Sequence, residues 1–213
     1  MESTLSLQSN LHPKVTPAGA YYAVTSDTPS ASRTLLYSLL KASPTEVISS
    51  EKILAWADTS DINTALNLLY RLQRLEFLYG DENASNEDMH LTDEQLPSVL
   101  EQLSSSGKAL LADENGLYFA NANFHHEAAE ELGLLASEVT KMDSSHRLLI
   151  RNNLHINNNA WGICDPSGQS ELTFFPLYIG NTKLILVIGG MPDLNKEAFV
   201  TLVKVLYHRY GSR

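Results

Sequence analysis

The feature that most constrains this chain is a short run in its second half. Lys108-Ala-Leu-Leu-Ala112 leads into Asp113-Glu-Asn-Gly116 and returns as Leu117-Tyr-Phe-Ala120. Asn-Gly between two apolar runs accepts the positive backbone angles of a tight reversal, so the run predicts a β-hairpin. The residues around it supply what a hairpin needs to bury a face. Glu127 to Leu149 reads as a long helix. Ala160 to Ile163, Leu172 to Ile179 and Leu184 to Ile188 read as three strands, separated by Asp165-Pro-Ser-Gly168 and Gly180-Asn-Thr182. Pro176 interrupts the second of them, so a bulge or an unpaired side is expected there. Phe199, Leu202, Val203, Leu206 and Tyr210 form one core-facing stripe on a closing helix, capped by Asp193 or Asn195. Ahead of the hairpin, Thr92-Asp-Glu-Gln95 fits a capping box. The helix it opens would bury Leu96, Val99, Leu100 and Leu103 and stop at Ser104-Ser-Ser-Gly107.

This order, with Gly107-Lys-Ala-Leu-Leu-Ala-Asp-Glu-Asn-Gly116 running toward a helix rich in small residues, resembles the roadblock domain of the dynein light chain family. The resemblance covers a little over half the chain, residues 91–213. It implies an α+β fold, an α-β-β-α-β-β-β-α sandwich built on a five-stranded antiparallel sheet. It also implies a homodimer, because in that family the long helix and the strand after it meet a second copy. On this sequence those positions are Leu132, Leu135, Ala136 and Val139 on the helix, and Ala160, Trp161 and Ile163 on the strand. A separate physical argument points the same way. An exposed strand edge must be covered, charged or paired, and Ala160-Trp-Gly-Ile-Cys164 has no Lys, Arg or Pro to blunt it. Bacterial members of the family typically serve small Ras-like GTPases. The implied partners are therefore a small GTPase or another roadblock-type protein. Arg147 and Arg151 near the end of the long helix are candidate contacts, although arginines are common on any surface.

The first half reads differently. Residues 1–29 are rich in Ser, Thr and Pro, which suggests an extended or disordered arm. Such an arm can also add a strand to a partner's sheet. Residues 30–90 suggest three helices and a hairpin, an order that resembles a winged helix. Leu35, Leu36, Leu39 and Leu40 mark the first helix, Ser49 opens the second, and Ile62, Ala65, Leu66, Leu69 and Leu72 stripe the third. Leu75 to Tyr79 reads as a strand entering an acidic turn, Asp81 to Asp88, the natural boundary between two domains.

Charge and missing motifs narrow the function. The net charge is −10, divided equally between residues 1–90 and 91–213. Neither half has the basic surface that phosphates or anionic membranes demand. The third helix offers only Arg71 and Arg74 beside Asp61 and Glu76, which argues against DNA. Cys164 is the single cysteine, so no intrachain disulfide or cysteine metal cluster can form. It reads as a small hydrophobe in a strand rather than a nucleophile paired with His155. His125-His126-Glu127 reads as a capped helix start, because adjacent helical side chains diverge by about 100°. Gly189-Gly190 precedes Met191-Pro-Asp193, not the Lys of a phosphate cradle. No apolar run approaches the ~18 residues of a membrane span. The sequence thus suggests a cytoplasmic, non-enzymatic regulator or scaffold with no catalytic residue, cofactor or metal. The alternative is a winged-helix transcriptional regulator that binds DNA and is dimerised by the roadblock-like part.

Overall fold

The computed structural model describes residues 5–8, 10–84, 92 and 94–211. In chain order the elements are β1 (His12–Val15), α1 (Pro17–Val24), α2 (Ala31–Lys41), α3 (Ser50–Trp56), α4 (Ile62–Arg74) and β2 (Leu78–Asp81). There follow α5 (Leu96–Glu101), β3 (Lys108–Asp113), β4 (Tyr118–Ala122), α6 (His126–Leu148), a π-helical turn (Leu149–Asn153), β5 (Trp161–Cys164), β6 (Ser170–Ile179), β7 (Thr182–Gly189) and α7 (Glu197–Tyr210). From α5 onward this is the expected α-β-β-α-β-β-β-α order.

The hairpin forms where Asn-Gly places it. Gly116 takes φ +92°, and Asp113 Oδ1 accepts from the N–H groups of Asn115 and Leu117, both at 2.9 Å. The five strands join in the order β4-β3-β7-β6-β5, every neighbour antiparallel. Alternate residues then face opposite sides. Leu110, Ala112, Ile185, Val187 and Phe174 face Ala129 and Ala136 of α6. Ala109, Leu111, Leu184, Leu186 and Ile188 belong to the larger core with Phe199, Leu202, Val203 and Leu206 of α7. Pro176 lies opposite Ile185 without a register shift. The Gly190 N–H donates to the Glu171 carbonyl at 2.7 Å, which sets the odd-numbered residues of β6 toward β7. Pro176 therefore faces the β5 side, and β5 pairs only as far as Phe174. The missing donor falls on the unpaired side of the strand, with no bulge.

The first half departs from expectation at its start. Residues 12–24 are not an extended or disordered arm but a strand and a helix. The Ser, Thr and Pro residues read as signs of disorder do local work here. Thr16 Oγ1 accepts from the Gly19 N–H at 3.1 Å, and Pro17 occupies the first turn of α1, where no donor is needed. Ala20, Ala23 and Val24 are then fully buried. β1 pairs with the chain's own β2, not with a partner's sheet. A strand follows α4 as expected, but it starts at Leu78 rather than Leu75, after a turn in which Glu76 takes φ +58°, and the second strand of the expected hairpin lies outside the described residues. The core does not stop at the end of the helical part. Tyr21 of α1 meets the rings of Phe175 and Phe199, and Tyr37 of α2 meets Tyr207.

Three caps also differ. Lys196 precedes α7 and Asp193 holds the Lys196 amine at 2.8 Å, so neither Asp193 nor Asn195 caps that helix. His125 makes no side-chain cap to α6. Gln95 Oε1 accepts from the Thr92 N–H at 2.9 Å, half of the expected box, but the helix begins one turn later at Leu96.

Candidate interaction surface

Helix α6 has two unlike faces. The buried one is lined by Ala129, Gly133, Ala136, Ser137, Thr140 and Asp143. These are small or polar residues, so the helix lies close to the sheet. Ser137 Oγ donates to the Glu114 carbonyl in the hairpin turn at 2.8 Å. The outer face carries Leu134, 59% exposed, and Leu135, 37% exposed, beside Leu132 and between Glu127, Glu131 and Glu138. The sequence placed Leu132, Leu135, Ala136 and Val139 on one face. The structure separates them: Ala136 is fully buried against its own sheet and Val139 is half-buried there, while Leu135 looks outward.

Exposed apolar side chains recur along α6 and past its end. Met142, Leu148, Leu149, Leu154 and Ile156 are all exposed, Leu148 by 75%. The π-helical turn over Leu149–Asn153 lies within this stretch. Next comes β5, which pairs with β6 and has no strand on its other edge among the described residues. Ile163 on that edge strand is 53% exposed, Trp161 is half-buried, and Ala160 packs half-buried against the larger core. Cys164 is exposed at the end of the strand. Hydropathy counting missed Leu134, Leu148, Leu154 and Ile156 as exposed residues. Their excess over what α6 buries was the available signal.

The two arginines are held by the chain itself. Arg147 Nη2 donates to the Tyr178 hydroxyl at 3.0 Å, and the guanidinium lies 3.8 Å from both Asp143 and Asp27. Arg151 Nη2 donates to Asn159 Oδ1 at 3.0 Å. Asn159 is buried, and its Nδ2 donates to the Thr25 carbonyl at 2.7 Å. Asp143, 5% exposed, accepts from the Trp161 indole N–H at 2.9 Å. Burial pushes the Tyr178 phenol above its ordinary value, while Arg147 pulls the other way. Burial also holds the Lys183 amine below its usual range. These contacts fix the end of α6 and the start of β5 to the loop after α1.

Little else gathers chemistry. Among the described residues no group of three or more His, Cys, Asp or Glu is placed to hold a metal ion. His126 Nδ1 shares a 2.6 Å hydrogen bond with the Tyr118 hydroxyl, and its Nε2 lies 3.4 Å from Glu130. No helix among the described residues is long and apolar enough to cross a membrane.

No protein-family model and no curated protein matches the chain. Two solved structures are similar to it. A Roadblock/LC7 domain from Streptomyces avermitilis shares 16% identity over 55% of this chain and 94% of its own, with a TM-score of 0.38. MglB from Myxococcus xanthus shares 14% identity over 61% of this chain and 92% of its own, with a TM-score of 0.33. Both are likenesses of fold alone. In element order and sheet topology, residues 96–210 have the roadblock-type arrangement that the sequence resembles.

Proposed function

We propose that this chain is a non-enzymatic interaction module, a homodimer that docks a protein partner such as a small Ras-like GTPase. The observation that carries the dimer is the series of exposed apolar side chains from Leu134 and Leu135 to Ile156, followed in the chain by the open edge strand β5. Large contiguous apolar patches on soluble proteins mark interaction sites. An unblunted strand edge is a template for pairing with another strand. Self-pairing satisfies both needs at once. The outer face of α6 supports the same geometry through charge. Glu127, Glu130 and Glu131 lie in its first half, and Lys141 follows in the second. Two such helices laid antiparallel bring opposite charges together.

The partner part rests on the family resemblance. A regulator of this kind works by ordering the GTPase's own catalytic groups, since positioning carries much of phosphoryl transfer. Arg147 and Arg151 are spent on internal contacts, so the exposed apolar and acidic surfaces are the better candidates for docking. The DNA reading gains no support from α4. Arg71 donates to Ser32 at 2.8 Å, which leaves Arg74 and neutral Asn63 and Asn67 on the exposed face.

Light scattering at micromolar concentration tests the dimer directly. The expected mass is twice the 23.6 kDa of one chain. A single-chain mass at the highest soluble concentration sinks the reading. Affinity capture from the native host then tests the partner, with recovery of a small GTPase expected and recovery of a defined DNA sequence favouring the alternative.

A further inference from the structure

We infer that the N-terminal helical part is a clamp that sets the position of the β5 edge, and through it the strength of the dimer. The inference rests on the pairing role proposed for β5.

β5 has only four residues, and Gly162, Ile163 and Cys164 are exposed. Residues 152–158, which lead into it, are exposed as well. A segment with so little apolar burial opens readily unless something else holds it. Beside the ladder to β6 and the half-buried Ala160 and Trp161, what holds its start is polar and comes from far away in sequence. The Tyr21 hydroxyl donates to Asn158 Oδ1 at 3.3 Å, and the same Oδ1 accepts from the Ala160 N–H at 3.2 Å. One residue later, buried Asn159 gives its Nδ2 protons to the Thr25 carbonyl and accepts from Arg151. Asp27 faces Arg147, which in turn faces the Asp143 that holds Trp161. Three links from the α1 segment therefore converge on Asn158 to Trp161, where β5 starts. A buried amide satisfied at both ends has one orientation, so Asn159 fixes where the strand begins. α1 is also seated on the sandwich through Tyr21 against Phe175 and Phe199. Anything that shifts α1 must release Asn158 and Asn159. A partner bound to the helical part can thus loosen or tighten the edge without touching it.

Hydrogen exchange on the full chain, read together with dimer mass, tests this. Asn159→Asp keeps the acceptor for Arg151 but sets a carboxylate against the Thr25 carbonyl. Tyr21→Phe with Asp27→Asn removes the other two links without altering β5 or α6. Each variant is expected to exchange about tenfold faster over residues 157–164, the effect of about one hydrogen bond, while β3 and β7 stay as protected as in the parent. The dimer dissociation constant should rise with it. Unchanged exchange over 157–164 in both variants overturns the clamp. If Asn159→Asp fails to fold, the Tyr21→Phe, Asp27→Asn chain decides alone. A parent chain that is monomeric removes the dimer reading, and the exchange result still judges the clamp. Faster exchange with an unaltered dimer constant overturns the link between clamp and dimer.

Discussion

A methyl group on Gly133 would sit 2.2 Å from the carbonyl oxygen of Gly116. The middle of α6 thus touches the tip of the β3–β4 hairpin, backbone against backbone. At an unconstrained helical site, Gly→Ala stabilises by about 1 kcal/mol. Here the sign should reverse. Gly133→Ala is expected to cost about 1–3 kcal/mol, because neither backbone can yield without moving a whole element. Thermal unfolding measures it, and a melting temperature equal to or above the parent's would show that the contact is loose.

Trp161→Phe should be destabilising although the ring is only half-buried. It deletes the N–H that Asp143 accepts, leaving a buried carboxylate one partner short. The expected cost is about 1–3 kcal/mol. Denaturant unfolding that superimposes on the parent's would make the indole bond dispensable.

Leu134→Glu and Leu135→Glu should leave the fold intact and abolish the dimer. Both side chains are exposed in the single chain, but a carboxylate buried unpaired in an interface costs several kcal/mol. Leu75→Glu, on the exposed end of the helical part, is the control and should stay dimeric. Sedimentation showing dimers for all three would move the interface elsewhere.

Acid should destabilise the chain in a defined window. Asp61 is lowered from 3.8 by the Thr64 hydroxyl and the N–H groups of Thr64 and Asn63. Asp81 is lowered chiefly by Lys14, and Asp165 by the Ser167 hydroxyl and the Gln169 N–H. A depressed carboxyl adds stability that is complete above its unfolded value and lost as the pH falls through the folded one. Melting temperature should therefore hold down to about pH 4 and decline below it. Asp61→Asn keeps a capping oxygen that does not titrate, so its profile should fall less steeply below that point. A parallel profile for the two proteins would remove Asp61 from the account.

Much of the fold was legible because its signals are local. The turn at Asn115-Gly116 is closed by bonds from Asp113 to residues no more than four positions away. Ser49 Oγ accepts from the Lys52 N–H at 3.2 Å and Asp61 caps α4, each within one turn of its own helix. The apolar runs of β6 and β7 are long enough to be buried on both faces, and they are. Other features depended on partners distant in sequence. Nothing near His12 to Val15 says that this strand will find Leu78 to Asp81. Arg147 and Arg151 look like free surface arginines until the fold brings Tyr178 and Asn159 beside them.

The sequence by itself determined the order of elements from α5 onward and the presence of an apolar strand at Trp161 to Cys164, because turn chemistry and side-chain period act within a few residues. Only the tertiary structure decided which face of α6 is inside. Hydropathy favours burying Leu134 and Leu135, yet the close approach of Gly133 to Gly116 and the pairing of Asp143 with Trp161 turn the small and polar face inward. That rotation leaves the leucines outside, beside the β3–β4 turn, and makes the surface on which the proposed function depends.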